Sequence, residues 1–599
     1  MAEPPKAKHR VSEVVVELPT WTTPSYTQTV IGKKSYLSDD LDEFRGIPFG
    51  QVTKRWEHAK LRARLPYDVF DATKNGPICP QPRAARNSEY FQAHLAFPDL
   101  EESEFDCLNL LIVRPSAAGL SRAGIDESSK LPVFVYIHGG AGSGAGSDPV
   151  YDPSRLVLRS LEIGFPIIAV NLNYRAGVFG FLGSADVLKT QNRTEIMGLN
   201  FGLYDQKVGL TWVARNITQF GGDPDQITLF GGSAGGSCVY AHLLDADAHA
   251  EKPLFQRALV QSGAMLTLLP MPLAEAEANW DKLCQHWGIK AESSSQHKVE
   301  SLRHISTAAM LESALENHVF MLPPIADGLT LTKETAALPC VDLRREIKPM
   351  GYRPVEVMIG ATDVEVTGHV QSDVDVEKLR QGFAESYPTP EAGAQVLEAY
   401  GLVEGFEQSA LRAGLERLHS DIIFDLGIYR ARALLCAQRR AEYGDATSIQ
   451  PYHIEFGNPF PGLKRGCAHH GIEAIYMFDA FHDALADADK GVFKAYPESY
   501  AKRTAGSEAE SALEETIADS ETPAVNHLEL VKSFQDHLIG FIVGNPAQRV
   551  AQDEIFIWGK DGSWRVEHLV ETPRWAERID RLKLLEKDTS SMMKALRVL

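Results

Sequence analysis

The sequence predicts an α/β protein: one large, mostly parallel sheet wound on both faces with helices. Three observations carry this. Short β-branched runs alternate with helical stretches along nearly the whole chain. One of those runs, Pro166-Ile-Ile-Ala-Val170, is apolar without alternation, as in a strand covered on both faces. Between Gln226 and Tyr240 a β-branched run passes through a Gly-x-Ser-x-Gly turn centred on Ser233 and continues as helix.

In chain order, residues 1–10 are polar and proline-bearing and read as a flexible tail, and residues 11–599 read as a single domain. Val11–Leu18 reads as a strand, and Phe44-Arg-Gly-Ile-Pro-Phe-Gly50 as an extended segment with two turn glycines. Cys79 and Cys107 bracket a loop carrying Tyr90, Phe91 and Phe97, aromatics suited to a flap over a pocket. Leu108–Val113 and Val133–Ile137 are strands, and the Ser/Ala/Gly-rich connector 116–130 between them reads as mobile. The glycine-rich loop His138–Ser147 follows a strand but lacks the Gly-Lys-Ser/Thr and Gly-x-Gly-x-x-Gly signatures of phosphate binding; its amides suit an oxyanion better. Leu203–Phe220 has helical spacing, and Leu259–Ser262, Val355–Ile359 and Tyr452–Phe456 read as further strands. Helical insertions are expected around 275–350 and 375–445, a mobile acidic excursion at 503–525, and a last helix over Leu528–Val543. There is no internal repeat, and the residues that bear chemistry come from both halves.

The chain has 599 residues, 44% of them hydrophobic and 23% charged, in the ordinary range for a globular protein. Its formal charge of −20 argues against non-specific nucleic-acid binding and against docking on anionic lipid. No apolar run is long enough for a membrane span. The first residues show no signal-peptide core, which points to the cytoplasm; the alternative is secretion with a leader removed. Seven cysteines in so long a chain do not make a disulfide scaffold. The sequons at Asn192 and Asn216 matter only for a secreted protein.

Ser233 sits where a nucleophile's chemistry needs it. A serine on a tight strand-to-helix turn lifts its hydroxyl above the sheet edge, and the helix that follows aims its first N–H groups at a developing oxyanion. The wider pattern resembles the type-B carboxylesterase/lipase family of the α/β-hydrolase fold, which also holds the cholinesterases and fungal lipases. The matching segments are Phe44–Gly50, Asp106-Cys-Leu108, Tyr136-Ile-His-Gly-Gly140, Asn173–Leu182, Asn200–Gln206, Phe220–Pro224, Gly232–Gly236, Gln261-Ser-Gly263 and His470-Gly-Ile-Glu473, in the family's order.

The resemblance implies a serine esterase that hydrolyses carboxylic esters through an acyl-enzyme, acting on a small-molecule ester with no cofactor or metal. Ser233 stands at the family's nucleophile, Glu365 at its acid and His470 at its base; Gly140, Ala141 and Ala234 match its oxyanion donors, and Cys79 and Cys107 match a common disulfide. An acyltransferase on the same triad, or a non-catalytic scaffold, are the alternatives. Asp363, two residues before Glu365, would share its face on an extended exit, so spacing leaves both acids open while the resemblance points to Glu365. His469 and Glu473 beside His470 loosely suggest a metal site, but no third well-spaced ligand supports one. One departure stands out: relatives usually carry Glu immediately before the nucleophile, and this chain has Gly232, which disfavours a cationic alcohol group.

Overall fold

In this computed structural model residues 13–596 are described, except 22, 24, 83–88, 194, 250–252, 265, 332–354, 369, 371, 445–447, 493–524 and 552. The expected tail at 1–10, the end of the first insertion and nearly all of the acidic excursion at 503–525 lie outside the described residues.

Apolar side chains every second residue organise the sheet. Its strands are β1 (Glu13–Pro19), β2 (Thr27–Lys34), β3 (Leu41–Pro48), β4 (Val69–Asp71), β5 (Asn109–Pro115), β6 (Leu131–Ile137), β7 (Ile168–Leu172), β8 (Gly222–Gly232), β9 (Arg257–Gln261), β10 (Glu356–Thr362), β11 (Ile449–Ile454), β12 (Glu554–Trp558) and β13 (Trp564–His568). Their spatial order is β1-β2-β3-β5-β7-β6-β8-β9-β10-β11-β12-β13, with β4 beside β2. The strands from β7 to β12 run parallel. The antiparallel pairs β1–β2, β2–β3, β3–β5 and β5–β7 extend one edge, and β12–β13 closes the other.

Within the parallel block, alternate residues feed two cores. Val133, Val135 and Ile137 of β6 and Val357, Ile359 and Ala361 of β10 enter one core. Phe134, Tyr136 and Met358, from the same two strands, enter the other. Helices cover both faces, among them α1 (Ser154–Glu162), α2 (Phe201–Asn216), α3 (Ala234–His249), α4 (Gln408–Ser420), α5 (Leu426–Tyr443), α6 (Ile472–Phe478), α7 (His527–Val543) and α8 (Pro573–Glu586). A third cluster, with Phe383, Leu397, Leu418 and Leu582, belongs to the second helical insertion. No described helix is long and apolar enough to cross a membrane.

The expected strands and helices are present within a few residues, with one difference. The connector expected to be mobile carries a short helix, Ala117–Arg122, started by the Ser116 side chain accepting from the Gly119 N–H and held by the buried Leu120. A turn signal was read where a cap was at work.

The segment after β7 is fixed to α2 by a buried ion pair. Arg175 Nε and Nη2 each donate to Asp205 at 2.8 Å, with the two side chains 1% and 0% exposed. Removing one partner of such a pair costs about 3–5 kcal/mol, because the other is left as a lone buried charge. Asp205→Ala should therefore lower the thermal unfolding midpoint sharply, and the double variant Arg175→Met/Asp205→Leu should recover most of the loss. Equal midpoints for the parent and Asp205→Ala would show that the pair does not hold this segment.

Candidate active site

Strand β8 ends at Gly232 and α3 begins at Ala234, leaving Ser233 alone at the turn with φ +57°. A serine holds this left-handed conformation only if its surroundings fix it. The Ser233 N–H donates to Gln261 O at 2.9 Å, and its carbonyl accepts from Ser237 N at 3.0 Å. Glycines make the turn tight enough: a Cβ at Gly231 would strike the Gly235 backbone, one at Gly235 the Ile137 carbonyl, and one at Gly263 the Ser233 carbonyl.

The loop after β6 comes up beside the turn. Gly140 and Ala141 have φ of +101° and +48°. The Gly140 carbonyl is held from below by Ser143, through its N–H at 3.1 Å and its hydroxyl at 2.8 Å. Gln81 accepts from the Gly144 N–H at 2.6 Å and Asp148 from the Ala145 N–H at 2.8 Å, which pins the loop's far end. Among the described residues, no acceptor takes the N–H of Gly140, Ala141 or Ala234. At the loop's start His138 stacks on Tyr174, ring centroids 4.3 Å apart, and burial lowers its pKa to about 4, so it is neutral.

His470 and Glu365 form a hydrogen-bonded pair. His470 Nδ1 donates to Glu365 Oε2 at 2.6 Å, and the backbone N–H of His470 donates to the Glu365 carbonyl at 3.2 Å. The other carboxylate oxygen accepts from Thr362 N at 2.7 Å. Glu365 is only 2% exposed. Burial alone would raise its pKa; the hydrogen bond and charge of His470, with Ser262 and Thr362, outweigh burial and hold it below the usual range. The Phe424 ring lies against His470 with centroids 4.4 Å apart, and the Tyr90 hydroxyl donates to the His470 carbonyl at 2.7 Å.

The neighbouring candidates turn elsewhere. Asp363 lies 3.5 Å from Arg578 and from His453 and 3.7 Å from Arg417, and its carbonyl accepts from Arg417. Burial would raise its carboxyl, but His453, Arg417 and Arg578 hold it well below the usual range. His469 accepts from Asn458 at Nε2 and donates from Nδ1 to the His470 carbonyl; burial lowers its pKa to about 3.

Ser233 and His470 line one cavity of about 280 Å³, together with Gly140, Tyr90, Phe91, Phe97, Tyr136, Phe478 and Glu473. The aromatics of the 79–107 loop thus wall the pocket as the sequence suggested. A larger cavity, about 450 Å³, lies between α4 and α8 among Asp363, Arg417 and Arg578 and shares no lining residue with the first. It holds no serine or cysteine among its lining residues. The disulfide implied at Cys79 and Cys107 is absent: both are buried free thiols. A hydrogen bond with Cys79, and then burial, raise the Cys107 thiol pKa, and Cys79 Sγ accepts from the Ala176 N–H at 3.3 Å.

Sequence reasoning passed over three contributors. Ser262, with φ +45°, donates to Glu473 at 3.2 Å and reaches Glu365 as well. Its signal was present in Gln261-Ser-Gly263, which was read as a strand end and a family-matching segment with no role given to the serine. Phe424 comes from a five-residue π-helical turn, Asp421–Asp425, inside an insertion without a recognisable pattern. The Tyr90 hydroxyl was read as part of an aromatic wall, and nothing in the sequence paired it with His470.

The carboxylesterase family pattern matches residues 19–495 of the chain. The chain is 30% identical over 490 residues to lipase 5 of Diutina rugosa, covering 76% of this chain and 80% of that protein. It is 34% identical over 460 residues to para-nitrobenzyl esterase of Bacillus subtilis, covering 75% and 82%. In structure it is similar to a PNB esterase, with a TM-score of 0.65 at 23% identity over 95% of this chain and 99% of that one, a likeness in fold.

The two acids make opposite predictions. Glu365→Gln should lower kcat/KM on an ester by on the order of 10³ or more, because an amide cannot stabilise the imidazolium; Asp363→Asn should stay within several-fold of the parent. Asp363 should matter for stability instead. Its folded pKa is depressed, so its contribution is present above the unfolded aspartate value near about 4 and is lost as pH falls through the folded value. The thermal-midpoint gap between the parent and Asp363→Asn should be full at neutral pH and shrink below about pH 4. The reverse ranking in activity would move the acid's role to Asp363.

Proposed function

The chain belongs to the carboxylesterase family, and from that premise we propose that it hydrolyses carboxylic esters through Ser233, His470 and Glu365 by way of an acyl-enzyme. That it is a carboxylic-ester hydrolase follows from the family and its relatives. The assignment of roles rests on one observation above the rest: Ser233, held at φ +57°, shares a cavity with a histidine whose Nδ1 is tied to a buried carboxylate.

With Nδ1–H bound to Glu365, the imidazole has its free lone pair on Nε2. Nε2 takes the Ser233 hydroxyl proton as Oγ bonds to the ester carbonyl carbon, and the carbonyl π pair moves to oxygen. The N–H groups of Gly140, Ala141 and Ala234 receive that oxyanion, each worth about 3 kcal/mol in the transition state. Glu365 stabilises the imidazolium meanwhile. Collapse re-forms the carbonyl and breaks the bond to the alcohol oxygen, which takes the proton from Nε2. Water then repeats the sequence on the acyl-enzyme, with Nε2 accepting its proton, and the carboxylic acid leaves from Ser233. The Ser233 hydroxyl has no hydrogen-bond partner among the described residues; such nucleophile–base contacts often close only around substrate.

Ser233→Ala should fold normally, lose labelling by a fluorophosphonate probe, and hydrolyse a short-chain aryl ester slower by on the order of 10⁴ or more. Turnover at parental rates in a folded, pure Ser233→Ala sample would remove the nucleophile from Ser233.

A further inference from the structure

His470 is held at a second point besides Glu365, its own carbonyl, and the hold comes from the pocket wall. Two donors reach that oxygen: the Tyr90 hydroxyl at 2.7 Å and His469 Nδ1 at 2.8 Å. A carbonyl has two lone pairs, so both are engaged. His469 presents its proton at Nδ1 because Nε2 accepts from the Asn458 amide at 2.9 Å, and the same amide nitrogen donates to the Phe91 carbonyl at 3.1 Å. Both donors therefore lead back to one short helical turn, Glu89–Phe91, in the loop between Cys79 and Cys107.

That turn is itself fastened to the chain before His470. Lys464 Nζ stands 3.2 Å from the centroid of the Tyr90 ring, a cation on an aromatic face. The Lys464 N–H donates to Gln92 Oε1 at 2.7 Å, and Gln92 Nε2 donates to the Phe460 carbonyl at 3.0 Å. The rings of Phe91 and His469 meet the Tyr90 ring nearly at right angles, centroids 5.3 and 5.6 Å away. The phenol has little freedom to point elsewhere.

The restraint matters because of the residue that follows. Gly471 has φ +75°, and a glycine gives the peptide after His470 freedom to rotate that any other residue would limit. Glu365 holds the N–H and Nδ1 of His470. Neither bond fixes the peptide on the other side of the residue. We propose that Tyr90 is a positioning residue, whose hydroxyl acts through the His470 carbonyl to set the direction of Nε2 toward Ser233. The inference rests on Ser233 and His470 being nucleophile and base. One residue then serves two ends: its ring lines the cavity and its hydroxyl aligns the base.

Tyr90→Phe tests this, since it keeps the ring, the wall and the contact with Lys464 and removes only the hydroxyl. With folding checked by the thermal midpoint, kcat on a short-chain aryl ester should fall about tenfold while KM stays within about twofold, as for a base displaced by a fraction of an ångström. A residue that only walls the pocket would raise KM instead. The loss should also depend on the base being oriented: in a Glu365→Gln background, Tyr90→Phe should cost less than about twofold more in kcat. Parental kcat in Tyr90→Phe overturns the proposal, and so does a tenfold loss that repeats undiminished in Glu365→Gln. Parental activity in His470→Ala would instead remove the base assignment on which the proposal stands.

Discussion

Beneath Ser233 backbone packs directly on backbone, and the site depends on that contact. Side chains at Gly139, Gly231, Gly235 or Gly263 would each run into a neighbouring main chain. Three loops, following β6, β8 and β9, can therefore converge within hydrogen-bonding distance of one another. The convergence concentrates strain: Ala141, Ser233 and Ser262, all non-glycine residues with positive φ, lie one on each of these loops. Such residues cost on the order of 1–3 kcal/mol each and persist where neighbours over-determine them. Here the neighbours are identifiable. Ser233 N–H is held by Gln261, Ser262 N–H by Gly360 at 2.9 Å, and the Ser237 hydroxyl ties α3 to Ala264 at 2.7 Å.

The acid side of the site is held from outside the sheet. The Val366 N–H donates to Ser420 Oγ at 2.8 Å and the Asp363 carbonyl accepts from Arg417, so both flanks of Glu365 are fastened to α4. Directly after α4 the chain takes one π-helical turn, and the ring on that turn, Phe424, is the one against His470. On the same turn Asp421 and Asp425 are bound by Arg581 and Arg578 of α8. The helical insertion thus does more than shape a pocket: it fixes the loop of Glu365 and covers His470. Without it, the hydrogen bond between Glu365 and His470 would face solvent, where it is worth less.

The legible parts were those whose physics is local. The strand–Ser233–helix turn was readable because glycines are required within two residues of the serine. The parallel block was readable because strands covered on both faces carry apolar runs without alternation, as residues 166–170 leading into β7 do. His470 and Glu365 were assigned from a resemblance, since residues 105 positions apart leave no periodic trace of their hydrogen bond. The connector 116–130 was misread because small residues signal both a turn and a capped short helix. Phe424 was invisible: an aromatic in a helical insertion reads as core, and its contact with His470 is made from a π-helical turn that the sequence does not signal. The thiols of Cys79 and Cys107 show the limit of pattern in the other direction, since a familiar spacing does not decide whether two buried sulfurs are joined or merely hydrogen-bonded.

Two buried carboxyls face the same Ser262 hydroxyl, and their surroundings drive them apart. Glu365 has an imidazole at 2.6 Å and a backbone N–H at 2.7 Å, so ionising it is favourable despite burial. Glu473 has Ser262 on one oxygen and Gln261 close by, and burial and the charge of Glu365 outweigh them. Like charges so close cannot both be held in low dielectric, and the proton goes to the acid with fewer donors. The site then carries one negative charge rather than two, placed where it opposes the imidazolium across the Nδ1 hydrogen bond. Glycine at 232 fits this arrangement. A third carboxylate beside Ser233 would press further on the same two acids, whereas glycine at 232 adds no charge there.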